Sequence, residues 1–559
     1  MTSIQSLVRN SLTTVFLFFL SFGIYAQDSF SAEQYREDLR FLQDKVHTDF
    51  PFLFKKTTAA EFDAEVEEFY TAIPEMEPHE VLVGFTKLVA GFEYGHTIFG
   101  WWDGIIPFHQ IPVFLYQFDD GIYLHGVHKD YPDVLGAKLL AIGNTPIEEA
   151  LKKMRPVVSA ENEQFVKAYG LHFLTFPEFL HAQGVIDNLS GELELTLEKD
   201  GRTFKKNIKA LPNQRFPSRY GMVEPGTDWL DARDLRETPL YLKNLEKIYF
   251  YEYLPEHKTV YIRHSQIQDD SIQPIPEFYK EVFNFIEEND VEKLILDVRL
   301  NGGGNNYKNK PIVTGVIANK KINQSGKFFV IIGRRTFSAC QNLVNELHTY
   351  TNAIFVGEPT SENINFYGDN HAVVLPNTKM KALLSFAWWQ DKPQWENKPA
   401  LYPQLATGLT FEQYITNQDP ALETALEYSE TGFISDPMRY FTELFTSGQA
   451  DKIQPEAERM LEDPHYAFFE FEEEFNKAGY NLLGQQSFEE AIYVFQLNTS
   501  LFPESANAWD SLAEAYWKAG DITKAKELYN KAIELDPKGD IGKHAREMLL
   551  EMEKGAYRD

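Results

Sequence analysis

Between residues 240 and 430 the chain alternates short apolar runs with amphipathic segments, and this alternation limits the fold more than any other feature. "TVYIRHS", "KLILDVRL", "FFVIIG" and "AIFVGEPT" have the length and composition of buried strands. "IPEFYKEVFNFIEEN" and "ACQNLVNELHTY" carry apolar residues at three- and four-residue spacing, and "DPALETALEY" reads as a closing helix. Strands that alternate with helices build a largely parallel sheet, so this stretch predicts an α/β core.

Two strand ends carry chemistry. "FFVIIGRRTFSACQNLV" places Ser338 where a strand gives way to a helix. A hydroxyl there caps the helix or acts as a nucleophile, because the free N–H groups of the first helical turn point at whatever it attacks. On the second reading the Ala339 N–H is an oxyanion donor. "KLILDVRLNGGGNN" runs a strand into Gly302, Gly303 and Gly304. Glycines there allow close backbone approach and offer unobstructed N–H groups, so Gly303 is a candidate second donor. One such donor is worth roughly 10²–10³ in rate. A base is still needed, and fourteen histidines leave the choice open. His96 stands out in "FEYGHTIFGWW", between Gly95 and an aromatic wall; the alternative is a buried histidine satisfied by a carbonyl.

The flanking texture differs. Residues 32–93 read as helices, and residues 106–210 as short alternating strands with a helix in "GNTPIEEALKKM". Between residues 472 and 539 a 34-residue period is visible: Phe475, Gly479, Ala491, Phe495 and Pro503 recur as Trp509, Ala513, Ala525, Tyr529 and Pro537. The second copy carries most of the tetratricopeptide pattern of paired helices. Two copies are fewer than the three usually needed, so flanking helices are expected from "HYAFFEFEEEF" and "IGKHAREMLLEM".

A net charge of −30 argues against nucleic-acid or anionic-membrane partners. Residues 1–26 hold one charge, Arg9, then the apolar "VFLFFLSFGIYA", the order of a secretory signal peptide. Export to the periplasm or exterior is therefore expected, with no further membrane association. Cys340 is the only cysteine, so no intrachain disulfide forms. No spacing of histidine, cysteine and carboxylate reads as a metal site, and "NGGGNNYK" lacks the phosphate-binding pattern; neither metal nor cofactor is expected.

Taken in this order, "YGHTIFG", "LILDVRLNGGGNN", "GRRTFSACQNLV" and "FVGEPT" resemble the tail-specific (C-terminal-processing) serine peptidases, in particular the branch related to the tricorn core protease. The resemblance covers residues 32 to 430. It implies an α/β protease core of the ClpP/crotonase-like kind with an N-terminal helical segment, a small β-rich PDZ-like module around "GAKLLAIGNTPIEE", and C-terminal all-α tetratricopeptide repeats. It divides the chain into 1–26 signal peptide, 27–105 helical domain, 106–215 PDZ-like module, 216–432 protease core and 433–559 repeat domain. It implies Ser338 as nucleophile, His96 as base, Gly303 and Ala339 as the oxyanion hole, and Glu396 in "WWQDKPQWENKP" as the carboxylate behind the histidine. Two departures stand out. Asn363 occupies the place of the lysine used by the Ser–Lys branch, and Gly95 replaces the auxiliary serine of the tricorn-like branch.

The expected function is an exported serine peptidase working through an acyl-enzyme. The PDZ-like module would select a peptide or protein chain end, and the repeats would dock a protein partner. The alternative is an inactive peptidase fold that binds a peptide or apolar ligand.

Overall fold

A computed structural model describes residues 30–212, 216–395, 398–429 and 433–553. The expected signal peptide, residues 1–26, lies outside the described residues. Among the described residues no helix is long and apolar enough to cross a membrane.

The α/β core is a six-stranded sheet in the order Tyr249–Leu254, Thr259–His264, Lys293–Asp297, Phe328–Ile332, Ile354–Gly357, Leu405–Ala406. The first pair is antiparallel and every later neighbour is parallel. Its inner strands are mostly apolar because both faces are covered. On one face Val260, Ile262, Leu294, Leu296, Phe328 and Val330 pack against the helices Ile275–Glu288, Lys310–Ala318 and Ala339–Tyr350. On the other, Tyr261, Ile295, Phe329 and Ile331 meet the helix Pro420–Glu427 and then Phe441, Leu444, Met460 and Phe475 of the C-terminal helices. The repeat region thus joins the apolar cluster on this face through its first helices. It consists of the pairs Phe471–Gly484 with Phe488–Leu501 and Ala506–Lys518 with Ile522–Leu535, flanked by Pro437–Thr446 and Ile453–Glu462 on one side and Asp540–Glu553 on the other.

Upstream, the helices Ala32–Asp49 and Ala59–Ala72 begin in capping boxes at Ser31 and Thr58, and Pro78–Ala90 follows. They share one core with an antiparallel β-module. Its strands include Val113–Phe118, Gly121–His128, Lys138–Ile142, Glu192–Lys199 and Arg202–Lys209, with Ile147–Met154, Glu163–Tyr169 and Pro177–Ala182 inserted as helices. Trp229–Asp231, beyond the expected module boundary at 215, joins the same sheet beside Gly121–His128 because Trp229 buries against Phe114 and Phe216.

A third, three-stranded sheet fixes the site. Ile98–Phe99 pairs with Lys381–Trp389, which pairs in turn with Phe366–Val374. The N-terminal segment is thereby sewn into a hairpin of the core, with Thr97 Oγ1 2.7 Å from Ser385 Oγ and the Gly100 N–H donating to the Lys381 carbonyl at 2.8 Å.

Candidate active site

The parallel strands end level with one another, Asp297 beside Ile331 and Ile332 beside Gly357. The loops that leave them carry the three glycines, Ser338 and Glu362 to one sheet edge, where sites of parallel sheets gather.

Ser338 precedes the helix Ala339–Tyr350 at φ 57° and ψ −129°. A non-glycine residue there is strained, and such strain concentrates where the surrounding fold holds a side chain for a purpose. Its hydroxyl makes no bond to the helix N-terminus. Instead Oγ lies 2.9 Å from His96 Nε2. The structure therefore brings together two expected residues that are 242 positions apart. The hairpin explains how: Asn370 Nδ2 donates to the His96 carbonyl at 3.1 Å, one residue from the Thr97–Ser385 pair.

The His96 ring lies between Phe337, stacked at 4.6 Å and 16°, and Phe366, at 6.1 Å and 13°. Burial pulls its pKa below the ordinary histidine value, against the opposing pull of Glu161 and Asp369. A neutral imidazole is a proton acceptor.

The other ring nitrogen, Nδ1, faces Glu362 Oε1 at 3.1 Å. The separation is that of an ion pair, while the angle falls short of a hydrogen bond, and both atoms are otherwise unpartnered. Glu362 is completely buried and also accepts the Ser338 N–H. Burial pushes its carboxyl well up, partly offset by that N–H and by Lys56. The expected carboxylate, Glu396, lies outside the described residues. Glu362 was missed on reading the sequence, although it follows the "VGEPT" strand and is thus at the end of a third strand of the same sheet.

A second buried carboxylate sits behind these. Glu161 accepts the Gly95 N–H and the Asn363 N–H, each at 3.0 Å, so one side chain links the residue before His96 to the residue after Glu362. Burial, and then Glu362, push its carboxyl up to about 7. Its neighbour Asn162 donates to the carbonyls of Thr360 and Pro399 at 3.1 and 2.6 Å. Gly95 has no room for a side chain: a Cβ would stand 2.6 Å from Phe165 and 2.8 Å from Phe337. The auxiliary serine of the tricorn-like pattern is excluded here by aromatic packing.

The oxyanion expectation needs one correction. The Ala339 N–H starts the helix beside Ser338. The Gly303 N–H, however, donates to Asn301 Oδ1 at 3.0 Å, because the buried asparagine turns back on its own loop. Gly303 serves the site by proximity: at φ 98° a Cβ on it would stand 2.5 Å from Ser338 Cβ and 3.0 Å from the Ala339 nitrogen. Arg299 pairs with both Asp297 and Asp419, whereas Glu358 pairs with Arg334; these ion pairs brace the sheet edge. A cavity of about 860 Å³ opens between the β-module at Val113–Tyr116 and the sheet edge at Gly333–Arg335 and Glu358; Ser338, His96 and Glu362 do not line it.

Residues 258–406 match the model of Peptidase family S41, and residues 506–538 match the tetratricopeptide repeat model. No curated protein matches the sequence. Among solved structures, the chain is similar to mature CPAF complexed with lactacystin at 13% identity and TM-score 0.48, covering 68% of this chain and 95% of that one. It is similar to the photosystem II D1 C-terminal processing protease at 12% identity and TM-score 0.33, covering 68% and 93%. It is similar to the tricorn protease at 13% identity and TM-score 0.35, covering 71% and 36%.

Proposed function

We propose, for a chain that belongs to the tail-specific serine peptidases of family S41 and carries tetratricopeptide repeats, that peptide bonds are cleaved by a Ser338–His96–Glu362 triad through an acyl-enzyme. The observation that carries the reading is the 2.9 Å contact between the uncapped Ser338 hydroxyl and His96 Nε2.

Ser338 Oγ attacks the scissile carbonyl carbon while His96 Nε2 takes its proton. Glu362 faces Nδ1, fixes the tautomer that leaves Nε2 free to accept, and stabilises the imidazolium. The oxyanion forms beside the Ala339 N–H at the positive end of the helix. Collapse breaks the C–N bond, and His96 returns the proton to the leaving amine. A water, deprotonated by His96, then releases the acyl group and restores the serine hydroxyl.

The helical segment 27–105 supplies the base and the core 216–432 the nucleophile. The β-module, residues 106–215 extended by Trp229–Asp231, is PDZ-like in role and holds the substrate's chain end beside the cavity. The repeat domain, 433–559, docks a protein partner, and the protein is exported behind its N-terminal signal.

A fluorophosphonate probe tests this reading. Wild-type protein gains one adduct on the peptide containing Ser338, and Ser338→Ala and His96→Ala gain none. A folded wild-type protein that neither labels nor hydrolyses a mixed peptide library would overturn the peptidase reading in favour of ligand binding.

A further inference from the structure

Away from the serine, three metal-ligating side chains converge at the seam between the helix Pro78–Ala90 and the inserted helix Pro177–Ala182. His79 Nε2 and His181 Nδ1 stand 3.0 Å apart, and His181 Nδ1 is 3.6 Å from Glu80 Oε1. All three ligand atoms lie within 4.8 Å of one another. A tetrahedral zinc ion bound at roughly 2.0–2.1 Å from its ligands spaces them about 3.3 Å apart, close to the 3.0 and 3.6 Å found here, with the Glu80 oxygen and His79 ring within 4.8 Å of each other.

The surroundings favour a cation. The other Glu80 oxygen accepts the Glu77 N–H at 2.8 Å, which orients its partner toward the imidazoles as outer-layer bonds orient metal-bound carboxylates. Glu80, Glu77 and Glu178 place carboxylates around His79. Glu178 is occupied elsewhere, accepting from the His109 N–H and facing its Nδ1 at 2.7 Å.

We propose that His79, Glu80 and His181 form a binding site for one zinc-class divalent cation, with water in the fourth position. Imidazole and carboxylate donors suit that class. The ion would fasten the first turn of the helix that leads into the His96 loop to the inserted helix of the β-module, so its role is structural.

The test is titration of the chelator-treated full chain with zinc alone, in competition with a chromophoric chelator, alongside thermal unfolding. One equivalent binds and raises the unfolding temperature. Glu80→Gln weakens binding about tenfold or more. His79→Ala and His181→Ala remove both binding and the thermal shift. His109→Ala, beside the cluster but outside it, keeps both. Glu80→Gln retains an oxygen for the Glu77 N–H and reports on the site should the histidine variants fail to fold, as judged by circular dichroism. No stoichiometric binding by wild type, or binding that survives in the folded His79→Ala/His181→Ala double variant, overturns the proposal. Fluorophosphonate labelling of Ser338 reads the peptidase site separately from this outcome.

Discussion

Ser338 sits in a strained backbone conformation with its hydroxyl committed to a histidine, and this has a measurable signature. Ser338→Gly removes the nucleophile and relieves the positive φ, so activity disappears while unfolding stability stays equal to or above wild type, by up to roughly 1 kcal/mol. Glu362→Gln keeps the shape but removes the carboxylate behind His96; kcat falls roughly 10²–10⁴-fold with KM little changed, read by steady-state kinetics on a peptide. Gly95→Ser does not restore an auxiliary hydroxyl. It drives a side chain into Phe165 and Phe337, costs about 1–3 kcal/mol in denaturant unfolding, and lowers activity. Glu161 adds a pH dependence. Its carboxyl is raised from 4.5 to about 7 in the fold, so the folded state holds that proton more tightly than the unfolded one. The stability it contributes is complete below about 4.5 and is lost as the pH climbs through about 7. Unfolding titrations of wild type and Glu161→Gln should therefore differ in slope across that window, with wild type losing stability faster as the pH rises. Of these residues, Ser338 was legible because a hydroxyl at a strand-to-helix junction is a local pattern. Glu362 and Glu161 were not, since each owes its position to burial against loops from distant parts of the chain.

Among the elements, the alternation of apolar runs and amphipathic segments was enough to predict the parallel core, because strands buried on both faces leave a dense apolar record, as in "LIL" of "KLILDV" and in "FFVII". The three-stranded sheet left a weaker record. Ile98–Phe99 is only two residues long, too short for any periodicity, yet it carries His96 to Ser338. Its hold depends on Thr97 and Ser385, which are fully buried and bonded to each other. Thr97→Val leaves the Ser385 hydroxyl unsatisfied and loosens the histidine. We expect a loss of about 1–3 kcal/mol in stability together with slower fluorophosphonate labelling. The His79–His181 pair was equally hidden, since its members are 102 residues apart and meet only when two helices pack.

At the scale of the whole molecule, the 34-residue period predicted the repeat helices but not where they dock. Phe441, Leu444, Met460 and Phe475 share one apolar cluster with Phe329 and Ile331 of the six-stranded sheet, so the C-terminal helices extend the core on that face. A chain ending at Tyr428 would bare that face and aggregate, measured as loss of soluble protein at equal expression. A binding scaffold joined by a flexible linker would instead come away cleanly.

The proposed reacting groups are drawn from pieces that the ribosome delivers far apart in time. The imidazole emerges early, the bridging carboxylate of Glu161 next, the hydroxyl much later, and the hairpin strand Lys381–Trp389 that anchors the imidazole last of all. A half-made or still-threading chain therefore has no working centre. On the proposed reading, cleavage has to wait until nearly four hundred residues have been laid down and closed on one another.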